Sequence, residues 1–227
     1  MIGSIPTRND CFVIPGGILE FVTNDGDEIM QLENFSDRLL QFKRNSLYII
    51  NVSTYGDEFM EEEHKWKGIS NPHHVLWTPE GIIWANEYSA YIYNGKDVED
   101  LVITDKGVFK DSRVISRDTW SDFFSANSVL IYDPEKNQLI IKRSDTGSAL
   151  INSGDIYVYD IDNGSWAFGK DRFITNSATD NPKTTNAVTL ADGRIYIMKS
   201  VTSSTDGKFI DIIDKTEAGV GPPNVLE

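Results

Sequence analysis

One phrase constrains this chain more than any other: a short apolar strand, a polar turn and a second apolar strand. It is written four times, as "LLQFKRNSLYII", "VLWTPEGIIWA", "VLIYDPEKNQLIIK" and "AVTLADGRIYIM". The halves are rich in β-branched and aromatic residues. The turns carry Pro, Gly, Asn or Asp, which preset a bend or tolerate positive φ. Two copies run on into a further strand, "SAYIYNGKDVEDL" and "GDIYVYDIDNGSWAFG". No helical stripe of comparable length competes with this pattern.

The expected strands are Ile18–Val22, Leu39–Phe42, Leu47–Val52, His74–Trp77, Ile82–Ala85 and Ala90–Tyr93, then Ser128–Tyr132, Leu139–Lys142, Asp155–Tyr159, Ala187–Leu190, Arg194–Met198 and Phe209–Ile213. Second strands of the phrase start at Leu47, Ile82, Leu139 and Ile195, which are 35, 57 and 56 residues apart. A four-stranded propeller blade takes roughly 40–50 residues, so one interval is short and two hold insertions. These fall at Asp105–Ala126, a turn of helix or a long loop, and at Ser144–Gly154. The expectation is all-β: a β-propeller-like array of antiparallel four-stranded sheets, with about four to five blades at that repeat length. A β-sandwich is the alternative. The array is read as a single domain over 1–227, with an insertion loop at about 105–126. So few blades make either a small ring or an open one completed by a neighbour, and open edges invite pairing. Self-association is therefore expected.

A net charge of −14 removes the basic face that a sequence-specific nucleic-acid binder needs. The same charge suits a surface that DNA slides past without capture. Cys11 is the only cysteine, so neither an internal disulfide nor a cysteine metal site can form. No run approaches the ~20 apolar residues of a membrane span, and the start "MIGSIPTRNDC" lacks a signal-peptide core. Synthesis in a cytoplasm, without membrane insertion, is the expectation.

Candidate chemistry is sparse. Glu61, Glu62, Glu63 and His64 form the densest polar run, but on a strand Glu61 and Glu63 face away from Glu62 and His64. Two ligands per face make no closed metal site, and a charged strand guarding a sheet edge is the simpler reading. His73 and His74 are adjacent and lack ligand spacing. "NDGDE", Asn24 to Glu28, lacks the calcium-loop pattern and reads as a turn. In "DIDNGSWAFG", Asp162 and Gly164 match part of an Asp box, but Asp160 replaces its Ser and Trp166 comes one residue early. No catalytic residue, cofactor site or metal ligand is assigned, and the chain is not expected to be an enzyme.

Aromatics offer the main rival reading. Trp66, Trp77, Trp84, Tyr88, Tyr91, Tyr93 and Trp120 would suit a carbohydrate-binding adhesin if several were exposed together, with glycan as partner. In "GIIWANEYSAYIYNG" the alternation instead puts Ile82 and Trp84 on one face of a strand and Ile83 and Ala85 on the other. Glu87, Tyr88 and Ser89 make the turn, and Trp84 is read as packing.

Taken together, "LLQFKRNSLYIINVS", "EFMEEEHKWKGISNPHHVLWTPEGIIWANEYSAYIYNGKDVEDL" and "GDIYVYDIDNGSW" resemble propeller-containing structural proteins of tailed bacteriophages. The resemblance is to the tail nozzle or the DNA-stabilising tail accessory factor of short-tailed phages. It covers Leu39 to Leu101, with weaker support from Ser128 to Phe168. It implies a virion tail component without catalytic residues, partnered by its own copies and by other tail or portal proteins around the DNA exit channel. Such relatives are often longer, which implies a piece of a longer protein or a short form. The resemblance assigns no role to a particular residue.

Overall fold

Every strand in the computed structural model is antiparallel to its neighbours, and sheets follow one another in chain order. The structure describes residues 4–5, 8–12, 26–54, 57–102, 115–143, 155–169, 183–190, 193–200 and 208–213. The chain divides into two compact units, Met1–Gly68 and Ile69–Glu227.

In the first unit, β1 (Ser4–Ile5) pairs with β2 (Arg8–Phe12). A four-stranded meander follows: β3 (Ile29–Phe35), β4 (Arg38–Lys43), β5 (Ser46–Asn51) and β6 (Phe59–Lys65). Register sets Leu40 opposite Ile49 and Phe42 opposite Leu47, giving one apolar, fully buried face on the two inner strands. Both outer strands carry an extra residue. Pairing jumps from Ile29 to Gln31 on β3, and on β6 it jumps from Met60 to Glu62, leaving Glu61 at a bulge. Beyond β6 the chain returns so closely at Gly68 that a Cβ there would lie 2.4 Å from the Lys43 carbonyl oxygen.

The second unit begins with a 3-10 turn, Pro72–His74, and a meander of β7 (Val75–Thr78), β8 (Gly81–Ala85), β9 (Ala90–Tyr93) and β10 (Val98–Asp100). A short helix, α1 (Arg117–Phe123), comes next. Ser116 caps it, its Oγ accepting the Thr119 N–H at 3.2 Å. Then come β11 (Val129–Asp133), β12 (Gln138–Lys142), β13 (Ile156–Asp160) and β14 (Ser165–Gly169), again paired in sequence. A three-stranded sheet, β15 (Lys183–Thr189), β16 (Ile195–Ser200) and β17 (Lys208–Ile213), ends the described residues.

Alternation along β11–β14 builds two cores at once. Leu130, Leu139, Ile141, Tyr157 and Tyr159 meet Ile83, Ala85 and Ala90 of the preceding sheet, with Trp120, Phe123 and Phe124 beside them. Val129, Ile131, Ile140, Ile156 and Val158 point the other way, onto Ile195 and Ala187 of the following sheet. The first strands run side by side, β11 contacting both β7 and β15. Three sheets stacked in series with adjacent first strands form a propeller-like array. Each side chain fully buried there contributes ~1.5–3 kcal/mol relative to exposure.

The all-β expectation is met, and one detail of its phase changes. "LLQFK" is the second strand of its sheet rather than the first, because β3 precedes it. Second strands therefore begin at Arg38, Gly81, Gln138 and Ile195, 43, 57 and 57 residues apart, and the anomalous short interval disappears. β3 escaped detection because "IMQLENF" alternates poorly and its side chains are exposed or half-buried. His74 lies in the 3-10 turn before β7 rather than in the strand. Of the Asp105–Ala126 insertion, 115–126 is described and contains α1. Ile18–Val22 and Ser144–Gly154 lie outside the described residues.

Candidate functional site

The stretch Gly81–Gly95 forms β8, a turn and β9, with Gly95 in the next turn at φ 93°. Trp84 pairs with Tyr91 across the strands, their ring centroids 5.4 Å apart, and Trp84 is fully buried. The Asn86 side chain shapes the turn, its Oδ1 accepting N–H groups from Tyr88 at 2.9 Å and Ser89 at 3.1 Å. The Asn86 carbonyl accepts the indole N–H of Trp120 at 2.8 Å, which ties α1 to this turn. Asp100 accepts the Ser89 hydroxyl. The polar residues of this turn are thus used in holding it.

Four of the seven aromatics that could form a glycan platform, Trp84, Tyr91, Tyr93 and Trp120, are buried. Trp66, Trp77 and Tyr88 are exposed, at 60%, 52% and 45%. Trp77 lies near the β7–β8 turn and Tyr88 in the β8–β9 turn, at opposite ends of β8. That strand spans five residues, about 17 Å, so the two rings lie towards opposite ends of the hairpin. Trp66 belongs to the other unit, at φ 67° just after β6.

The acidic run on β6 is knitted into its own sheet. Glu61, at the bulge, accepts from Arg38 on β4 and, through Oε1, from Asn51 Nδ2 at 2.8 Å. That hydrogen bond to Glu61 raises the Arg38 pKa further. Glu62 and His64 share a face, as the alternation requires, with Oε2 2.7 Å from the imidazole Nε2. Asp27, of the "NDGDE" stretch, accepts the Asn45 backbone N–H at 3.0 Å, and Glu28 pairs with Arg44 at 2.7 Å. Asn24 and Asp25 lie outside the described residues. Among the described residues no three His, Cys, Asp or Glu side chains group so as to hold a metal ion.

The sequence did not foretell a polar constellation that joins the turns of separate sheets. Asn137, at φ 50° in the β11–β12 turn, donates through Nδ2 to Glu80 Oε1 at 2.8 Å and to Asp162 Oδ1 at 2.7 Å. Its Oδ1 accepts the Tyr132 hydroxyl at 2.9 Å. Glu80 comes from the β7–β8 turn and Asp162 from the β13–β14 turn, so one amide links turns of two successive sheets. Burial, then the charges of Glu80, Asp133 and Asp162, push the Tyr132 phenol up, keeping it a neutral donor. Asp160 shapes the adjoining turn, its carboxylate held below the usual range by the Asn163 N–H and side-chain amide. Trp166 packs on Tyr159 and donates its indole N–H to the Leu101 carbonyl at 2.8 Å. The Asp-box-like segment is therefore a blade hairpin with a packing Trp. Chemically, the Asn137 constellation can align blades.

No family model matches the sequence, and no curated protein matches it. Among solved structures, the complex of the fission yeast SREBP–SCAP binding domains aligns with 78% of this chain and 48% of that chain, at 13% identity and a TM-score of 0.37. The chain spans about half the length of that neighbour. A likeness at that TM-score carries no argument.

Proposed function

We propose that this chain is a non-catalytic structural component of a tailed-phage virion, of the tail nozzle or tail accessory type. It works by assembling with its own copies and with neighbouring tail or portal proteins. The observation that supports this reading is where the uncommitted surface lies. Polar groups in each candidate site are tied into turns or cross-strand bonds, whereas exposed apolar side chains sit on outer strands of the sheets. Among them are Ile29 and Leu32 on β3, Phe59 and Met60 on β6, and Phe168 on β14, while others such as Val52, Trp66 and Tyr88 lie in connections. Outer strands with apolar side chains in water favour contact with another chain. A net charge of −14 suits a wall along which DNA passes without sticking.

Light scattering of the purified chain across a wide concentration range, with electron microscopy of the same samples, tests the assembly claim. Concentration-dependent oligomers are expected. A monomer at every concentration that also binds an immobilised glycan would overturn the reading in favour of the adhesin. Portal, terminase or tail genes beside this gene are expected, and a glycan-degradation operon there would sink the phage assignment.

A further inference from the structure

His74 is the one fully buried histidine among the described residues. Its ring meets Phe124 edge-on, with centroids 5.0 Å apart, and lies 4.6 Å from the ring of His73. Nε2 is 3.1 Å from the Ser128 carbonyl oxygen. A carbonyl only accepts, so Nε2 carries the proton and Nδ1 is bare, 3.4 Å from the Ser70 hydroxyl. The same two stretches are stitched again by Asn71, whose side-chain amide donates to the Ala126 carbonyl. The segment from Phe124 to Ser128, which leads from α1 into β11, thus docks on the turn that leads into β7.

We propose that His74 is a proton-operated pin: uptake of a proton at Nδ1 releases the Ser70–His74 turn from the Phe124–Ser128 segment, opening that seam below neutral pH while the sheets stay formed. This rests on the geometry of the seam and not on the assembly role above.

An imidazolium in this position has little to stabilise it. The group facing it from its own turn, besides Ser70, is His73, which repels it when charged. Phe124, Ala126 and Ser128 face it from the other side and carry no charge. Among the described residues, no carboxylate is among the contacts of the ring. Burial first, then the His73 charge, hold the His74 ring neutral down to about 4, from an ordinary 6.5, against the opposing pull of the Ser128 and Ala126 backbone. The sign follows from linkage. The closed seam binds fewer protons than the open one between these values, so closure is fully favoured above 6.5 and loses ground as pH falls towards 4. Over that window the opening equilibrium grows about tenfold per pH unit, and it stops growing below it.

Hydrogen exchange of the full chain, corrected for the intrinsic pH dependence, reads this directly. Between pH 6.5 and 5 the amides of His74, Phe124 and Ser128 should gain roughly tenfold or more in exchange relative to those of Trp84 and Tyr91. His73 also meets the Ser128 backbone and is held below its ordinary range by burial, so in His74→Gln the seam amides should lose most of that dependence, and in His73→Gln they should keep the larger part of it. Flat protection in the wild type, or an unchanged dependence in His74→Gln, would overturn the proposal. Should His74→Gln fail to fold, the His74 ring resonance of the wild type decides: titration below about 5.5 supports the pin, and titration near 6.5 removes it.

Discussion

The sheets β3–β6 and β11–β14 follow the same plan, four strands meandering in chain order, yet they present their outer strands differently. In β11–β14 the register runs from end to end without a shift, and alternate residues feed two apolar cores. In β3–β6 the inner strands are as well buried, but both outer strands carry a register shift, and β6 is exposed along almost its whole length. A strand clamped between neighbouring sheets has one admissible register, because a slip of one residue would turn its apolar side chains outward. An outer strand that meets water on its far side lacks that constraint. There, bulges and charge are the ordinary means of discouraging indiscriminate pairing. Of these two sheets, the regularly paired one is seated between neighbours and the irregularly paired one offers an exposed strand.

The sharpest way to break this contrast is through the seated side. Trp120 is fully buried, stacks on Phe124 at 5.7 Å and donates to the Asn86 carbonyl. Trp120→Ala should cost ~3–5 kcal/mol in denaturant unfolding. A loss below about 1 kcal/mol would mean that the core beside β11–β14 is loosely packed, leaving the difference between the sheets without a cause. Gly81 and Gly68 come next, one in each unit. A Cβ on Gly81 would stand 2.2 Å from the Tyr93 carbonyl oxygen, and one on Gly68 would meet three backbone atoms at 2.4–2.6 Å. Each Gly→Ala change should cost ~1–3 kcal/mol. Similar losses would show that the two regions differ at their edges and not in how tightly their backbones pack.

Asn137 tests what aligns the seated sheets. At φ 50° an Ala pays for left-handed backbone as well as losing the amide, so Asn137→Ala should destabilise by ~1–2 kcal/mol. Asn137→Gly relieves the backbone and isolates the side-chain bonds to Glu80 and Asp162. A Gly variant as stable as the wild type would assign Asn137 to its turn alone.

How much of this was legible in the sequence follows from the same contrast. Strands β8, β9 and β11–β13 announce themselves because burial on both faces demands apolar, β-branched and aromatic runs, and Asn94-Gly95 and Asn163-Gly164 mark their turns. Trp84 was readable as packing for that reason. Strand β3 was not, since a half-exposed strand tolerates "IMQLENF", and missing it shifted the phase of the first repeat by one strand. The Asn137 link was illegible for a different reason. Glu80, Asn137 and Asp162 are each ordinary turn residues, and only the stacking of sheets 57 residues apart in the chain brings them together.

The smallest expected effect probes the offered side. Arg38 holds Glu61 at the β6 bulge, with the two side chains each 24% exposed, while Asn51 reaches the other carboxylate oxygen. Partial exposure brings in solvent screening, so Arg38→Ala should lower stability by only ~0.2–1 kcal/mol, and the deficit should shrink as salt is added. Glu61→Gln keeps the shape of the bulge and should lose no more than that. If either change instead cost more than about 2 kcal/mol, insensitive to salt, the pair would be acting as a desolvated ion pair. The β6 strand would then be a closed seam held by charge, and a partner seeking a free outer strand would have to use another, such as β3 or β14.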